Sequence, residues 1–386
     1  MKNLKPLSSP ALDAVIVGGG VVGLTLAYWL SSNHKKVVVL DQAEVPNFKA
    51  PSGDHMRAFY LTHGKDFFYT ELARTALPFW LKLNAESGQT IFSQTGFLDL
   101  ASKIPGFETH SFETLKKMKI RAEWIDKKNL PREHGVFNAR ALKGALFHPD
   151  GGFIWAQRAL SLIAALAQKE GAVIHGRSKV ASLIKDNSGK LKGVKDSNGK
   201  TWEAENFIFT TGIWSPKILK DYRIPLRPTR QFQIYLKPPQ NPGRFRLEHF
   251  SVFRLTALGF CGFPMHVHGY MKIIDYKPGP FGDPDEDKLK APPPSVEKKC
   301  RAFLKKYIPD IASYSESETS LCHFDATKDG DFIVDKLRNF PNAYIAAGFN
   351  GKGFSLAPAI GKILSDWILA GKPSVNLQRF RLSRFK

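Results

Sequence analysis

Six residues near the start of the chain, Gly18-Gly19-Gly20-Val21-Val22-Gly23, have the spacing G-x-G-x-x-G, which lets a backbone wrap a pyrophosphate. Each glycine has its own task. Gly18 permits the turn, Gly20 lets the backbone approach the phosphates, and Gly23 lets a helix sit close to a strand. Asp41 stands eighteen residues beyond Gly23, where a carboxylate can accept hydrogen bonds from a ribose. A second glycine-rich stretch, Phe349-Asn350-Gly351-Lys352-Gly353-Phe354, lies between an apolar run and a helical pattern. A helix N-terminus at such a loop suits an anion or a carbonyl. Three cysteines, Cys261, Cys300 and Cys322, are spaced too widely for a zinc motif or a disulfide framework. An odd cysteine is available for chemistry.

The elements that must hold these residues follow from periodicity. Val15 to Val17 is an apolar strand entering the glycine turn, Val22 to Leu30 is helical, and Val37 to Leu40 is a second strand ending at Asp41. The unit is a dinucleotide-binding βαβ, which by itself serves NAD or FAD. A Pro- and Gly-rich loop, Gln42 to Met56, then leads to Arg57 and to a helical region from Phe67 to Asn84. From Thr90 to Asp99 the pattern reads as a short β pair, which breaks the alternation and marks an inserted, more antiparallel domain. An amphipathic helix (Leu160 to Gln168), a small meander around Val180 and Trp202, and a buried strand running Phe207 to Gly212 bring back the first pattern. Antiparallel runs follow at Arg230 to Leu236, Gly259 to Pro264 and Gly269 to Ile274, then a helix from Val296 to Tyr307. The strand Ala343 to Gly348 and a helix from Ala357 to Leu369, with Pro358 near its first turn, close the chain.

With 386 residues, 43% of them hydrophobic, the chain can bury a large core in two domains. No apolar run approaches the length of a membrane span, the N-terminus lacks the apolar core of a secretory signal, and the expectation is a cytoplasmic enzyme. A net charge of +21 would suit a polyanionic partner, but the basic residues are spread along the chain, with local clusters at 116–119, 298–305 and 379–386, and a solvated basic surface is the favoured reading.

The blocks VIVGGGVVGLTLAYWL, TTGIWSPKIL, GYMKII, LCHFDATKDGDFIVD and IAAGFNGKGFSLAPAIG, in this order and spacing, resemble the D-amino-acid-oxidase superfamily of flavoproteins, within it the monomeric sarcosine oxidase and N-methyltryptophan oxidase group. The resemblance implies FAD, an α/β plus α+β architecture, and a Rossmann-like (GR2-type) FAD-binding domain made of residues 1–90, 150–220 and 326–386. A mainly antiparallel substrate domain would comprise 91–149 and 221–325. It implies cofactor contacts from Gly18, Gly20, Val21, Val22, Gly23, Asp41, Arg57, Val180, Thr211, Gly212 and Trp214, and from Gly348 and Asn350 to Phe354. Cys322 falls where this group attaches its flavin through a thioether. Lys272 matches the lysine that promotes reaction with oxygen, and Arg57 an arginine near the flavin ring.

Departures bear on the substrate. Tyr60 stands where the family has an arginine for the substrate carboxylate, and Ser355 stands where it has a partner lysine. Cys261, Phe324 and Tyr276 occupy positions of active-site aromatic and histidine side chains. The carboxylate clamp is therefore absent or rebuilt, and sarcosine is not the expected substrate. The expected reaction is oxidation of a carbon–nitrogen bond in a secondary amine or N-substituted amino acid by a monomer, with O2 as the acceptor and hydrogen peroxide as a product. The alternatives are a tRNA wobble-uridine side-chain oxidoreductase, which the basic charge would suit, and a dehydrogenase using another electron acceptor. No metal is expected.

Overall fold

Glycine turns and period-two strands divide this chain into two sheets with different rules. The computed structural model describes residues 12–238, 242–287, 292–312, 314 and 317–385, so most of the N-terminal stretch lies outside the described residues. Two compact units form: residues 1–53, 160–227 and 325–386 make one, and 54–159 with 228–324 make the other. Residues 54–90 and 150–159 thus cluster with the second unit rather than with the βαβ. The reason is strand pairing: Met56–Phe59 pairs with Gly152–Trp155, which also pairs with Phe92–Ser93.

In the first unit, Leu12–Val17 runs parallel to Val37–Leu40 on one side and to Thr201–Phe209 on the other, with Val173–His175 and Ala343–Ala347 beyond them. Both faces of Leu12–Val17, Val37–Leu40 and Ala343–Ala347 are largely covered, which is why their sequences are nearly continuous apolar runs, whereas Val173 in the edge strand is half exposed. The pattern separates a strand at Trp202 from one at Phe207, but the structure joins them. The Thr201 end pairs antiparallel with Leu191–Asp196, and the Phe209 end pairs parallel with both of its neighbours. Helix Val21–Ser31 is buried along almost its whole length and packs on helix Gly353–Ala370. The latter starts four residues before the expected Ala357, which leaves Pro358 inside it. Thr25 Oγ1 and Trp29 Nε1 donate to the carbonyls of Ala357 (3.1 Å) and Pro358 (3.1 Å), so the neighbouring helix braces the proline turn.

The second unit carries an eight-stranded sheet in the order 317–326, 227–236, 271–275, 260–265, 252–255, 97–101, 144–148, 123–126. The contact of Val252–Leu255 with Phe97–Ala101 is parallel, whereas the neighbouring pairs along Arg227–Leu236, Met271–Asp275, Phe260–Met265 and Val252–Leu255 are antiparallel. The expected β pair over 90–99 is not a pair. Phe92–Ser93 joins the three-stranded sheet, and Phe97–Ala101 enters this larger one. Alternation sorts the two faces. Leu98, Ile234, Phe253, Phe260 and Ile273 point into a core with Phe303, Leu304 and Tyr307 of helix Pro294–Tyr307. The register puts Tyr235 opposite Lys272, Arg254 opposite both Cys261 and Asp99, and Phe97 opposite His148, all on the other face.

Helix contact at Gly361 leaves no room for a side chain: a Cβ there would lie 2.9 Å from Thr25 Oγ1 and 3.0 Å from the Leu26 backbone nitrogen. Gly361→Leu should therefore cost about 1–3 kcal/mol through overpacking, read as a lowered urea midpoint with unchanged slope.

Candidate active site

The first unit holds two backbone turns suited to a dinucleotide. Gly18, at φ +111, makes the turn at the end of its strand, and a Cβ on Gly23 would lie 1.9 Å from the Gly18 carbonyl oxygen, so strand and helix touch here. A Cβ on Gly20 would meet only Ser52 Oγ, at 3.4 Å, which leaves the approach to the helix open. The helical ladder begins with Leu24 N–H donating to Gly20 O (2.9 Å), and the first turn carries no acidic residue. The N–H groups of Val22 and Gly23 thereby precede the helical ladder at the positive end of the helix dipole, a setting that suits an anion. Asp41 accepts from Gly19 N (2.7 Å) and Ala43 N (2.9 Å), so it also holds the turn while keeping lone pairs for a ribose. Thr210, one residue before the expected Thr211, donates from Oγ1 to Gly18 O (2.9 Å). A turn that requires glycine at Gly18 and Gly23, with an open approach at Gly20 and no acid in the first helical turn, matches a pyrophosphate.

Val180 is buried at the head of its strand, and Thr211, Gly212 and Trp214 form the short turn after Thr201–Phe209. In the second turn Gly348, Asn350 and Gly351 all have positive φ. Asp325 fixes this turn: its carboxylate accepts from Gly348 N (2.8 Å), and burial pushes its pKa up to about 6 against the hydrogen bonds that lower it. Asn350 exchanges hydrogen bonds with Thr327, accepting from its N–H (2.9 Å) and donating to its hydroxyl (3.0 Å). Lys352 Nζ donates to Gly330 O (3.2 Å), and Ser355 Oγ donates to Lys352 O (3.2 Å). Phe354 is buried in the first helical turn.

The second unit gathers the charged candidates. Lys272 is 1% exposed; Nζ bonds to Asp54 and donates to Met56 O (2.9 Å), beneath the Phe263 ring. Arg57 Nη1 also reaches Asp54 (2.5 Å), its Nη2 lies 3.9 Å from Cys322 Sγ, and Tyr235 OH donates to Asp54 (2.7 Å). Burial alone would raise the Asp54 pKa, but Lys272, Arg57 and the hydrogen bonds outweigh it and hold the carboxylate ionised. Burial lowers the Lys272 pKa, opposed by Asp54 and assisted by Arg57. Burial pushes the Cys322 thiol up, while Arg57 pulls toward the thiolate.

Tyr60, Cys261, Tyr276 and Phe324 share one cluster with Phe97, Phe153, Trp155 and Phe263. Burial pushes the Cys261 thiol up to about 12, which makes it a packing group. Behind Tyr60 is a charge that sequence reasoning overlooked. Arg254 donates to Asp99 Oδ1 (2.7 Å) and to Thr62 O (3.0 Å) and Oγ1 (2.9 Å), and its guanidinium lies 4.2 Å from the Tyr60 ring centroid. Asp54 was overlooked as well. The available signal was an acid or base at an inward position of an otherwise apolar strand, as in Phe97-Leu98-Asp99-Leu100 and Val252-Phe253-Arg254-Leu255. Among the described residues no group of three His, Cys, Asp or Glu is placed to hold a metal, and no helix is long and apolar enough to cross a membrane.

Comparison with known proteins gives the class. The family model described as DAO, FAD dependent oxidoreductase, matches residues 13–367, and the chain belongs to this family. It is 27% identical to human peroxisomal sarcosine oxidase over 391 residues, covering 97% of this chain and 96% of that one. It is 25% identical to monomeric sarcosine oxidase of Bacillus sp. (strain B-0618), covering 97% of each. Among solved structures, L-proline dehydrogenase from P. horikoshii superposes with a TM-score of 0.86 at 20% identity, covering 97% of this chain and 98% of that one, and shows the same fold, with its Rossmann-like FAD-binding domain.

Asp325 gives a pH signature. Its pKa is higher in the fold than in the unfolded chain, so its contribution to stability is fully present below about pH 4 and is lost as pH rises through about 6. Across that window wild type should lose up to about 1.4 kcal/mol per pH unit relative to Asp325→Asn, measured by urea unfolding at successive pH values.

Proposed function

We propose that this enzyme oxidises a carbon–nitrogen bond in a secondary amine or N-substituted amino acid. It gives an imine that water hydrolyses, with O2 as electron acceptor and hydrogen peroxide as product. The first unit serves as the FAD-binding domain and the second as the substrate domain. The observation that carries this reading is the buried Lys272, held by Asp54 and Met56 on an aromatic-lined sheet face beside Arg57 and Cys322. Family membership and the two sarcosine oxidases support it, and the Bacillus relative's name supports a monomer.

FAD, when bound, would take the electron pair and hydrogen from the carbon beside nitrogen and pass the electrons to O2. The chain's own residues do the rest. Gly18 to Gly23, Asp41 and the Gly348 to Phe354 turn hold the dinucleotide. Lys272 supplies a fixed, desolvated positive charge where negative charge develops on oxygen, and such a preorganised charge needs no rearrangement during reaction. Asp54 keeps that cation in place, and Arg57 favours the Cys322 thiolate for a thioether to the flavin. Tyr60, Cys261, Tyr276 and Phe324 exclude water and orient the amine. Two cations against one carboxylate disfavour an ammonium nearby, so the amine binds neutral, with its nitrogen lone pair available. No observation favours the tRNA substrate or a separate electron carrier.

Anaerobic addition of N-methyl amines or cyclic secondary amines should bleach the flavin. If none does, the reading fails. Lys272→Gln should bleach comparably but be reoxidised by O2 about 10²–10³-fold more slowly, measured by stopped-flow absorbance. Acid precipitation should leave the yellow colour with wild-type protein and release it from Cys322→Ser.

A further inference from the structure

The Arg254 end of the substrate face has more hydrogen-bonding capacity than the protein uses. His148 is fully buried and neither of its ring nitrogens has a partner. Glu108 is 3% exposed and its Oε1 has none. The adjacent hydroxyls of Thr256 and Tyr276 are buried without a hydrogen bond of acceptable geometry. These groups surround one ion pair. The His148 ring stacks on Phe97 (5.6 Å), and Arg254 lies 5.3 Å from that ring and 4.9 Å from the ring of Phe107, the neighbour of Glu108. An unpartnered buried polar group is destabilising, so several in one place call for a ligand or for function. Tyr276 belongs to the same cluster as Tyr60, Cys261 and Phe324, so this polar region continues from the proposed amine-binding residues.

Charge narrows what it accepts. Arg254 is already neutralised by Asp99 and bonded to Thr62, so it has no uncompensated charge to give a carboxylate. A carboxylate would be a third acid beside Asp99 and Glu108, and an ammonium would face Arg254. A hydroxyl or carboxamide both donates and accepts, as His148, Glu108 and Tyr276 require. Burial pushes the Glu108 pKa up to about 7, so that carboxyl can serve in either role near neutrality. We propose that the Arg254–Asp99 end of the second unit is a subsite for the part of the substrate remote from the amine, and that it selects an uncharged hydrogen-bonding group, a hydroxyl or carboxamide.

This deepens the amine-oxidase reading and rests on it, so binding is tested apart from turnover. Redox-inert ethers, with oxygen in place of the amine nitrogen and a short chain ending in hydroxyl, carboxamide, carboxylate or methyl, are titrated calorimetrically into the holoenzyme. The hydroxyl or carboxamide ether should bind at least about tenfold more tightly than the methyl or carboxylate ether, the span expected from one or two satisfied buried groups. Glu108→Leu and His148→Phe should each remove most of this preference while leaving the affinity of the methyl ether within about twofold. Equal affinities in wild type, or a preference for the carboxylate, would overturn the subsite, and this comparison needs neither variant to fold. Failure of every amine to bleach the flavin would instead remove the reaction assignment.

Discussion

The carboxylate of Asp54 is the group on which the candidate site depends. Without it Lys272, 1% exposed, and the adjacent Arg57 would be two cations buried side by side. Taking either into an apolar interior uncompensated costs several kcal/mol, and Lys272 would lose its proton first. With Asp54 between them, and Tyr235 adding a third donor, the cluster keeps one net positive charge in a place that excludes water. A charge held that way acts more strongly on developing negative charge than a solvated lysine does. The same arrangement places the Arg57 guanidinium 3.9 Å from Cys322 Sγ, where it pulls toward the thiolate against the burial that pushes the thiol up.

That support is possible because the sheet of the second unit has two unlike faces. Strict two-residue alternation sends Phe253, Ile273 and Ile234 to a hydrocarbon core and sends Arg254, Lys272 and Tyr235 to the opposite face. A slip of one residue in any pairing would exchange the sets and place charge inside the core. Register is therefore enforced by the cost of burying the wrong residues, and the polar face is as well determined as the apolar one. The first unit obeys a different rule, since its central parallel strands are covered on both faces and the candidate cofactor turns, at Gly18 and Gly348, lie at their ends.

This difference explains what could be read from the sequence. The glycine turn, the helix behind it and Asp41 are local, and each glycine has a steric reason visible within a few residues, so the motif was legible. Residues acting through register were not. Nothing near Asp54 in sequence indicates Lys272, 218 positions away, and Arg254 meets Asp99 only because two distant strands run side by side. The resemblance supplied Lys272, Arg57 and Cys322 but not the carboxylate that holds them. Local patterning also misjudged boundaries where tertiary contacts extend an element. The pattern divides Thr201–Phe209, whose two ends pair with different neighbours, and starts the last helix late because Pro358 resembles a first-turn proline.

The overall charge of +21 invites a polyanion reading, and burial argues against attaching it to the site. Among the described residues the buried acids are Asp99, Glu108, Asp196 and Asp325 and the buried Lys or Arg residues are Arg254 and Lys272, with Asp54 and Arg57 nearly so. The basic surplus therefore resides on partly or fully exposed side chains, where salt screens it within about 10 Å. Inside, Arg254 is paired with Asp99, while Lys272 and Arg57 share Asp54. At the Arg254 end a substrate therefore finds no unclaimed charge, and a charged group of either sign would lose its hydration there without a matched partner. What remains available is hydrogen bonding without net charge, together with the aromatic faces of Tyr60, Phe97 and Phe324. An amine that sheds its proton on binding, carried on a neutral polar frame, satisfies both.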